Sequence, residues 1–191
     1  MGGGSNRHDD NKFVKNLVRK APMLWKILRE RSRARAVRNL GVLGTPVEPS
    51  LNRFTEQAAS AFAAPISLLT ILHDQDLWVR ASTGLDVTCL PRKDGFCHYA
   101  VDRDDMLEVC DALDDPFFRT LPCVSGEPYV RYYLGAPLTM ARDMDVGMLC
   151  VLDTAPRTPA SRDQRAYLAG IARQAASAIE RQADLKGVLA A

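Results

Sequence analysis

Pro65-Ile66-Ser67-Leu68-Leu69-Thr70-Ile71-Leu72, then His73-Asp74-Gln75-Asp76, then Leu77-Trp78-Val79-Arg80-Ala81-Ser82 is the stretch around which the chain organises. The first octet is too apolar and too rich in β-branched residues for a surface helix, so it predicts a buried strand. The polar tetrad predicts a turn, and the third segment the returning strand of a hairpin. Upstream, Leu51, Phe54, Ala58 and Phe62 share one face of an amphipathic helix that Pro65 ends. Downstream, residues 84–94 read as loop, and Asp94 is placed to cap a short helix over 95–101 that carries Phe96, Cys97 and His98. Residues 106–110 predict a short strand, and Asp114-Asp115-Pro116-Phe117-Phe118 a helical turn. Two more strands are expected over 129–139 and 146–152, antiparallel because the polar connection at 141–145 is so short. Ser161-Arg162-Asp163-Gln164 is a capping box, in which Ser and Gln each accept a backbone N–H of the first turn. Leu168, Ile171, Ala172, Ala175 and Ile179 then repeat at helical spacing, and the helix is expected to run past Gln182 until Gly187.

Ahead of this body lies a basic arm. Residues 11–40 hold ten Lys or Arg against one acid, Glu30, so the net charge of +2 hides an acidic remainder. Phe13, Leu17, Ala21, Leu24 and Leu28 recur at helical spacing, with Pro22 expected to start a second helix. Gly41, Gly44 and Pro46 predict a linker. The expected organisation is a flexible leader at 1–10, a helical arm at 11–40, a linker at 41–47, one domain at 48–184 and a tail at 185–191. The arm is expected to dock on the domain or on a dimer mate with its charges solvated; contact with a membrane surface or an acidic partner is the alternative. No nucleic acid is expected, because no aromatic interleaving or DNA-binding motif accompanies the charge. The chain lacks a ~20-residue apolar run and an apolar leader core, which predicts a cytoplasmic protein. A hydrophobic fraction of 47% with 25% charged residues fits a globular domain.

Five cysteines (Cys89, Cys97, Cys110, Cys123, Cys150) are an odd number at irregular spacing, so neither a disulfide framework nor a CxxC site is indicated. Cys89, Cys97, His98 and Cys123 lack the spacing of a zinc site. No Walker loop, GxSxG or HExxH is present.

Five segments in order then resemble one family. Ile66–Leu72 with Trp78 fits its first hairpin. Gly95-Phe96-Cys97-His98-Tyr99-Ala100-Val101 is similar to an S-F-C-A-H-A segment. Asp111 with Asp114-Asp115-Pro116-Phe117 resembles V-x-D-A-x-x-D-P-R-F. Arg131-Tyr132-Tyr133-Leu134-Gly135-Ala136-Pro137-Leu138 resembles R-F-Y-x-G-A-P-L, and Gly147-Met148-Leu149-Cys150-Val151-Leu152-Asp153 with Pro156-Arg157 resembles G-T-L-C-V-I-D-x-x-P-R. The family is that of GAF domains, sensory and regulatory modules. The resemblance implies an α/β (α+β) fold: an antiparallel sheet backed by N- and C-terminal helices, here with the additional basic helical arm. Asp94-Gly95 departs from the usual Ser before Phe-Cys, and Cys123 stands where an apolar residue is common.

The same resemblance implies a small-molecule pocket between the sheet and its middle helices, read out through the terminal helices to a homodimer mate and an output partner. Its candidate residues are Trp78, Phe96, Cys97, Tyr99, Asp111, Phe117, Arg131 and Tyr133. Asp111 and Arg131 either anchor a ligand or pair with each other. No bilin, haem or metal is expected, and the ligand stays unassigned: the pigment cysteine of bilin-binding relatives follows an Asp motif absent here. No catalysis is expected either. The enzymatic alternative is the free methionine-(R)-sulfoxide reductase group of GAF proteins, or a redox switch, through Cys89, Cys97 and Cys123. That group also holds its substrate with carboxylates, at positions that here align with Tyr133, Cys150 and Leu152; Asp153 is one residue late.

Overall fold

The hairpin forms where the sequence puts it: β1 (Ile66–His73) returns as β2 (Asp76–Thr83), closed by Asp74 in the left-handed region at φ +50°. The computed structural model describes residues 7–43, 48–103, 105–141 and 143–189, with side chains from Leu24 onward except those of 187 and 189. Residues 1–6 of the leader, the 44–47 part of the linker, and the side chains of Phe13, Leu17 and Ala21 lie outside the described residues.

Ahead of the hairpin come α1 (Arg7–Leu40) and α2 (Asn52–Phe62). Beyond it lie β3 (Cys89–Pro91), α3 (Phe96–Ala100), β4 (Glu108–Val109), α4 (Pro122–Ser125), β5 (Tyr132–Met140), β6 (Met144–Asp153) and α5 (Arg162–Leu189). The strands make one sheet in the order β3-β2-β1-β6-β5-β4, every neighbouring pair antiparallel. Thus β1 and β6 are central. Gly147 sits where they approach most closely: a Cβ there would lie 1.8 Å from the Thr70 carbonyl oxygen.

Period-2 alternation divides the sheet between two cores. Leu69, Ile71, Leu134, Ala136, Leu149 and Val151 face Val37 of α1, Phe54 and Ala58 of α2, and Leu168, Ile171 and Ala175 of α5. Leu68, Leu72, Tyr133, Met148, Cys150 and Leu152 face Phe96 and Cys97 of α3 together with Phe118, Leu121 and Val124. Both faces are covered, which is why β1 reads as an unbroken apolar run and not as an alternating one.

Several boundaries differ from expectation. A single helix passes through Pro22, since proline removes one helical hydrogen bond but tolerates continuation when the flanking turns persist. Asp94 does not cap α3; Gly95 occupies that position without a side-chain cap, and it is Asp115 whose Oδ1 accepts the N–H groups of Phe117 (2.8 Å) and Phe118 (3.1 Å). The capping box is made in both directions, Ser161 N–H to Gln164 Oε1 at 2.9 Å and Gln164 N–H to Ser161 Oγ at 3.2 Å. From it α5 runs through Gly187 to Leu189, so residues 185–189 are helical; a mid-helix glycine costs only about 1 kcal/mol.

Candidate ligand cavity

A cavity of about 360 Å³ opens on the face of the sheet opposite α2 and α5. Its floor is the sheet: Ile66 and Leu68 of β1, Leu77 of β2, Tyr133 of β5, and Cys150 and Leu152 of β6. Phe96 and Cys97 of α3 and Val130 form the inner wall, while Leu85, Val87, Leu90, Pro91, Pro122 and Pro128 form the rim. Cys123, Asp94 and Glu127 complete the lining, and among the described residues no Lys, Arg or His takes part in it.

The floor has a definite construction. The Tyr133 ring is 1% exposed and stacks on Phe96 with centroids 4.8 Å apart, and Phe96 stacks in turn on Phe118 at 5.1 Å. Tyr133 folds over Gly135, where a Cβ would stand 2.2 Å from the phenol oxygen. The small residue at 135 is therefore what lets the hydroxyl reach inward, and it donates to Cys97 Sγ at 3.6 Å. Cys150 Sγ donates to the Leu68 carbonyl at 3.6 Å. Hydrogen bonding from Cys150, supported by Thr70 and Tyr133, holds the Cys97 thiol below its ordinary range against the opposing effect of burial. The same contact and burial push Cys150 well up. Burial pushes Cys123 up to about 11.

Of the residues expected to line a pocket, Phe96, Cys97 and Tyr133 do so. Trp78 lies on β2 opposite Ile71, a member of the core on the helix side. Tyr99 turns outward, donating to the Lys93 carbonyl at 3.0 Å and packing edge-on against Phe117, which is 54% exposed. Asp111 Oδ1 accepts the Leu113 N–H at 3.0 Å in a turn. The Arg131 guanidinium donates to the carbonyls of Val124, Tyr129 and Val130 at 3.0–3.1 Å, and the ion pairs among the described residues include none between it and Asp111. These two charged residues are thus occupied in shaping the loops around the cavity. Of the three cysteines weighed for redox chemistry, Cys97 and Cys123 line the cavity, whereas Cys89 is exposed on β3. Cys150 went unrecognised as a site residue, although strand alternation puts it on one face with Met148 and Leu152. Among the described residues no group of three or more His, Cys, Asp or Glu is placed to hold a metal ion.

A second polar constellation fastens α1 to the cavity wall. Arg33, 0% exposed, donates to the Asp145 carbonyl at 2.6 Å and pairs with Glu30 and Asp102. Arg29 also pairs with Asp102, and Glu30 pairs with Arg92, whose Nε donates to His98 Nδ1 at 3.1 Å. Burial alone would raise the Glu30 carboxyl, but Arg92 and Arg33 outweigh it and hold the group below the usual range. Asp102 is held down in the same way by Arg33 and Arg29. The expectation of solvated arm charges fails at these positions, because acids on the domain gather them. Further along the arm, Leu24, Trp25, Ile27 and Leu28 are exposed.

With this geometry the sequence profile of GAF domains agrees, matching residues 46–179. The chain belongs to the GAF domain family. A cyclic di-GMP phosphodiesterase of Pseudomonas aeruginosa is 43% identical over 144 residues, which are 75% of this chain but 24% of that protein. The GAF chain therefore spans about a quarter of that relative. The GAF domain of an Acinetobacter phosphoenolpyruvate-protein phosphotransferase shares the fold at TM-score 0.60 and 21% identity, covering 82% of this chain and 93% of the other. A type II free methionine-R-sulfoxide reductase of Thermoplasma acidophilum shares it at TM-score 0.56 and 16% identity, covering 69% and 91%. Among the described residues no helix is long and apolar enough to cross a membrane.

Proposed function

We propose that this GAF domain is a non-catalytic sensor that binds a small apolar molecule, neutral or cationic, and reports its presence through α1. The observation that carries this reading is that one segment has two sides. Pro91, Asp94, Phe96 and Cys97 line the cavity, while Arg92, interleaved with them, pairs with Glu30 of α1 and donates to His98. A ligand that pushes on α3 thereby acts on the ion pair that holds the arm.

The ligand class follows from the lining. Apolar walls with a few polar groups are what a small-molecule site requires. Here the charged members are the carboxylates of Asp94 and Glu127, with no cation to neutralise a phosphate. Anionic nucleotides are disfavoured by Coulomb repulsion in such a setting. The phosphodiesterase activity named for the Pseudomonas relative is assigned, on this reading, to other parts of that longer protein, and an output module of that kind is the proposed downstream partner. A homodimer mate, met through the terminal helices, is part of the same proposal. The absence of catalysis rests on the floor: Tyr133, Cys150 and Leu152, aligned with the carboxylate positions of the sulfoxide reductases, all line the cavity and none is acidic. Asp153 is held by Arg157 instead.

The test uses the neutral fluorophore N-phenyl-1-naphthylamine. It is expected to bind with saturation, to be lost in the cavity-filling variant Leu68→Trp, and to change hydrogen exchange at residues 24–40. Saturable binding of cyclic di-GMP to the domain, with no binding of the apolar probe, would overturn the reading.

A further inference from the structure

We infer that α1 is a peripheral anchor for an anionic lipid surface, which its outward line meets while its inward side stays docked on the domain. The inference does not depend on the cavity or on what occupies it.

From Leu24 onward the helix has two unlike sides. Arg33, Ala34 and Val37 are buried against the domain. Leu24, Leu28, Arg31, Arg35 and Arg38, spaced alternately four and three residues apart, fall on one line of a helix, and all of them are exposed. Over about 20 Å that line changes from apolar to basic. Trp25, 62% exposed, and Ile27 flank its apolar end. In the sequence the same spacing continues upstream through Ala21, Leu17 and Val14, accompanied by Lys12, Lys15, Arg19 and Lys20, with no acid between Asp10 and Glu30.

Charge decides what this surface fits. The acids beside α1 are already matched: Glu30 by Arg33 and Arg92, Asp102 by Arg29 and Arg33, and Asp145 by Arg29 at 3.6 Å. Lys26, Arg31, Arg35 and Arg38 are exposed, and the ion pairs among the described residues include none of them. Beside Trp25 opens a groove of about 710 Å³ in which Lys26 and Arg103, likewise outside those ion pairs, stand with Tyr99; its acids are the matched Glu30 and Asp102. Exposed Trp and Leu beside unmatched cations suit a helix lying in the interface of an anionic bilayer, its apolar side chains at the acyl boundary and its cations on the phosphates. Trp and Tyr favour that depth. A second copy fits less well. A helical pair needs an apolar seam, and a parallel pair along this line would set Arg31, Arg35 and Arg38 against their own copies. Nucleic acid would meet the cations but leave Leu24, Trp25 and Leu28 in water.

The experiment pellets the full chain with sucrose-loaded vesicles, either of phosphatidylcholine alone or with about 30% phosphatidylglycerol, in about 0.1 M NaCl. The expected result is binding to the anionic vesicles, little to the neutral ones, and a fall as salt is raised. Each cation near such a surface is worth about fivefold in affinity, so the triple variant Arg31→Gln, Arg35→Gln, Arg38→Gln should partition about 100-fold more weakly. Glutamine matches arginine in helix propensity, so the helix content read by circular dichroism should not change. In Trp78→Phe, where Trp25 is the remaining tryptophan, emission should shift to the blue on anionic vesicles. No pelleting with anionic vesicles, equal pelleting with both lipids, or a triple variant within about threefold of wild type would overturn the inference. So would a dimer that Leu28→Glu dissociates in a chain that ignores vesicles, which would assign the line to a second copy. Saturable binding of N-phenyl-1-naphthylamine without vesicles tests the cavity alone, so the two proposals fail separately.

Discussion

Replacing Arg33 by methionine should detach α1 from the domain without melting the sheet. Methionine keeps an unbranched stem in the buried slot and removes the guanidinium. Three contacts then vanish: those to the Asp145 carbonyl, to Glu30 and to Asp102. The carbonyl loses a donor inside the protein, a cost of about 1–3 kcal/mol. The two acids keep other partners, Arg92 for Glu30 and Arg29 for Asp102, and their side chains are 37% and 33% exposed, so water meets them too. Each of those lost pairs is therefore worth about 0.5–1 kcal/mol. The total, about 2–5 kcal/mol, overlaps what breaking a fully buried ion pair costs. It falls on the docked half of α1, whose apolar anchors are Ala34 and Val37, with Val42 just beyond the helix end. Local opening there should become about 30- to 5000-fold more frequent. Hydrogen exchange read peptide by peptide measures this directly: acceleration is expected over 24–40, with β1 and β6 near wild type. Exchange at 24–40 within about threefold of wild type, or equal acceleration in the central strands, would refute the argument that this buried arginine is a clamp and not a core residue.

The clamp should also respond to pH. Burial, with Arg92 beside it, lowers His98, so its contribution is fully present above the ordinary histidine value of 6.5 and is lost as pH falls toward the depressed one; the thermal midpoint should drop over that window in wild type and much less in His98→Gln. Glu30 and Asp102, held below their ordinary 4.5 and 3.8, add a second loss as pH falls through and below the carboxylate range, visible in the same scan. Gly147→Ala drives a methyl into the Thr70 carbonyl at the sheet centre and should cost about 3 kcal/mol or more, lowering the midpoint by roughly 6–12 °C; a shift under about 2 °C would contradict the close approach. Ser161→Ala removes one half of the capping box at the start of α5 and should cost about 1 kcal/mol in urea denaturation.

The parts of this fold that the sequence discloses are those written in local periodicity. The Ile66–Leu72 run, the 74–75 turn, the Phe54 and Ala58 face of α2 and the Ser161–Gln164 box depend on neighbours within a few residues, and each is found in place. Where the chain folds back on itself, the sequence says less. β3 is three residues long and exists because β2 offers an edge at Asp76–Trp78, which nothing in Cys89-Leu90-Pro91 announces. The cavity shows the same division. Phe96, Cys97 and Tyr133 were legible through the family resemblance, whereas the rim from Leu85 to Pro91 and the role of Cys150 depend on which loop crosses which strand. Asp111 and Arg131 mislead because a charged residue beside a pocket can either meet a ligand or satisfy backbone carbonyls; only the three-dimensional path of the 124–131 loop decides for the second. The arm misleads in the other direction. A run of basic residues predicts a solvated face until acids from distant segments, at 102 and 145, arrive beside it.

How large a signal could such a sensor send? α5 meets the sheet on the face away from the cavity, and its tie to the cavity side is indirect, through Arg165 and Glu108 of β4 at 2.7 Å. α1 has the shorter connections, of which the ion pair from Glu30 to Arg92 is the one made by the segment that lines the cavity. A ligand shifts an equilibrium only by its differential interaction with the two states. If its effect reaches α1 solely through that pair, which is more than a third exposed on the Glu30 side, the coupling is limited to about 1 kcal/mol, roughly a fivefold change in α1 docking. One domain acting through this link is therefore a graded modulator. An all-or-none response requires about 5.5 kcal/mol, and two copies sharing a helical interface would only double the single-domain coupling. On these magnitudes, reversible ligand binding tunes the arm and does not switch it.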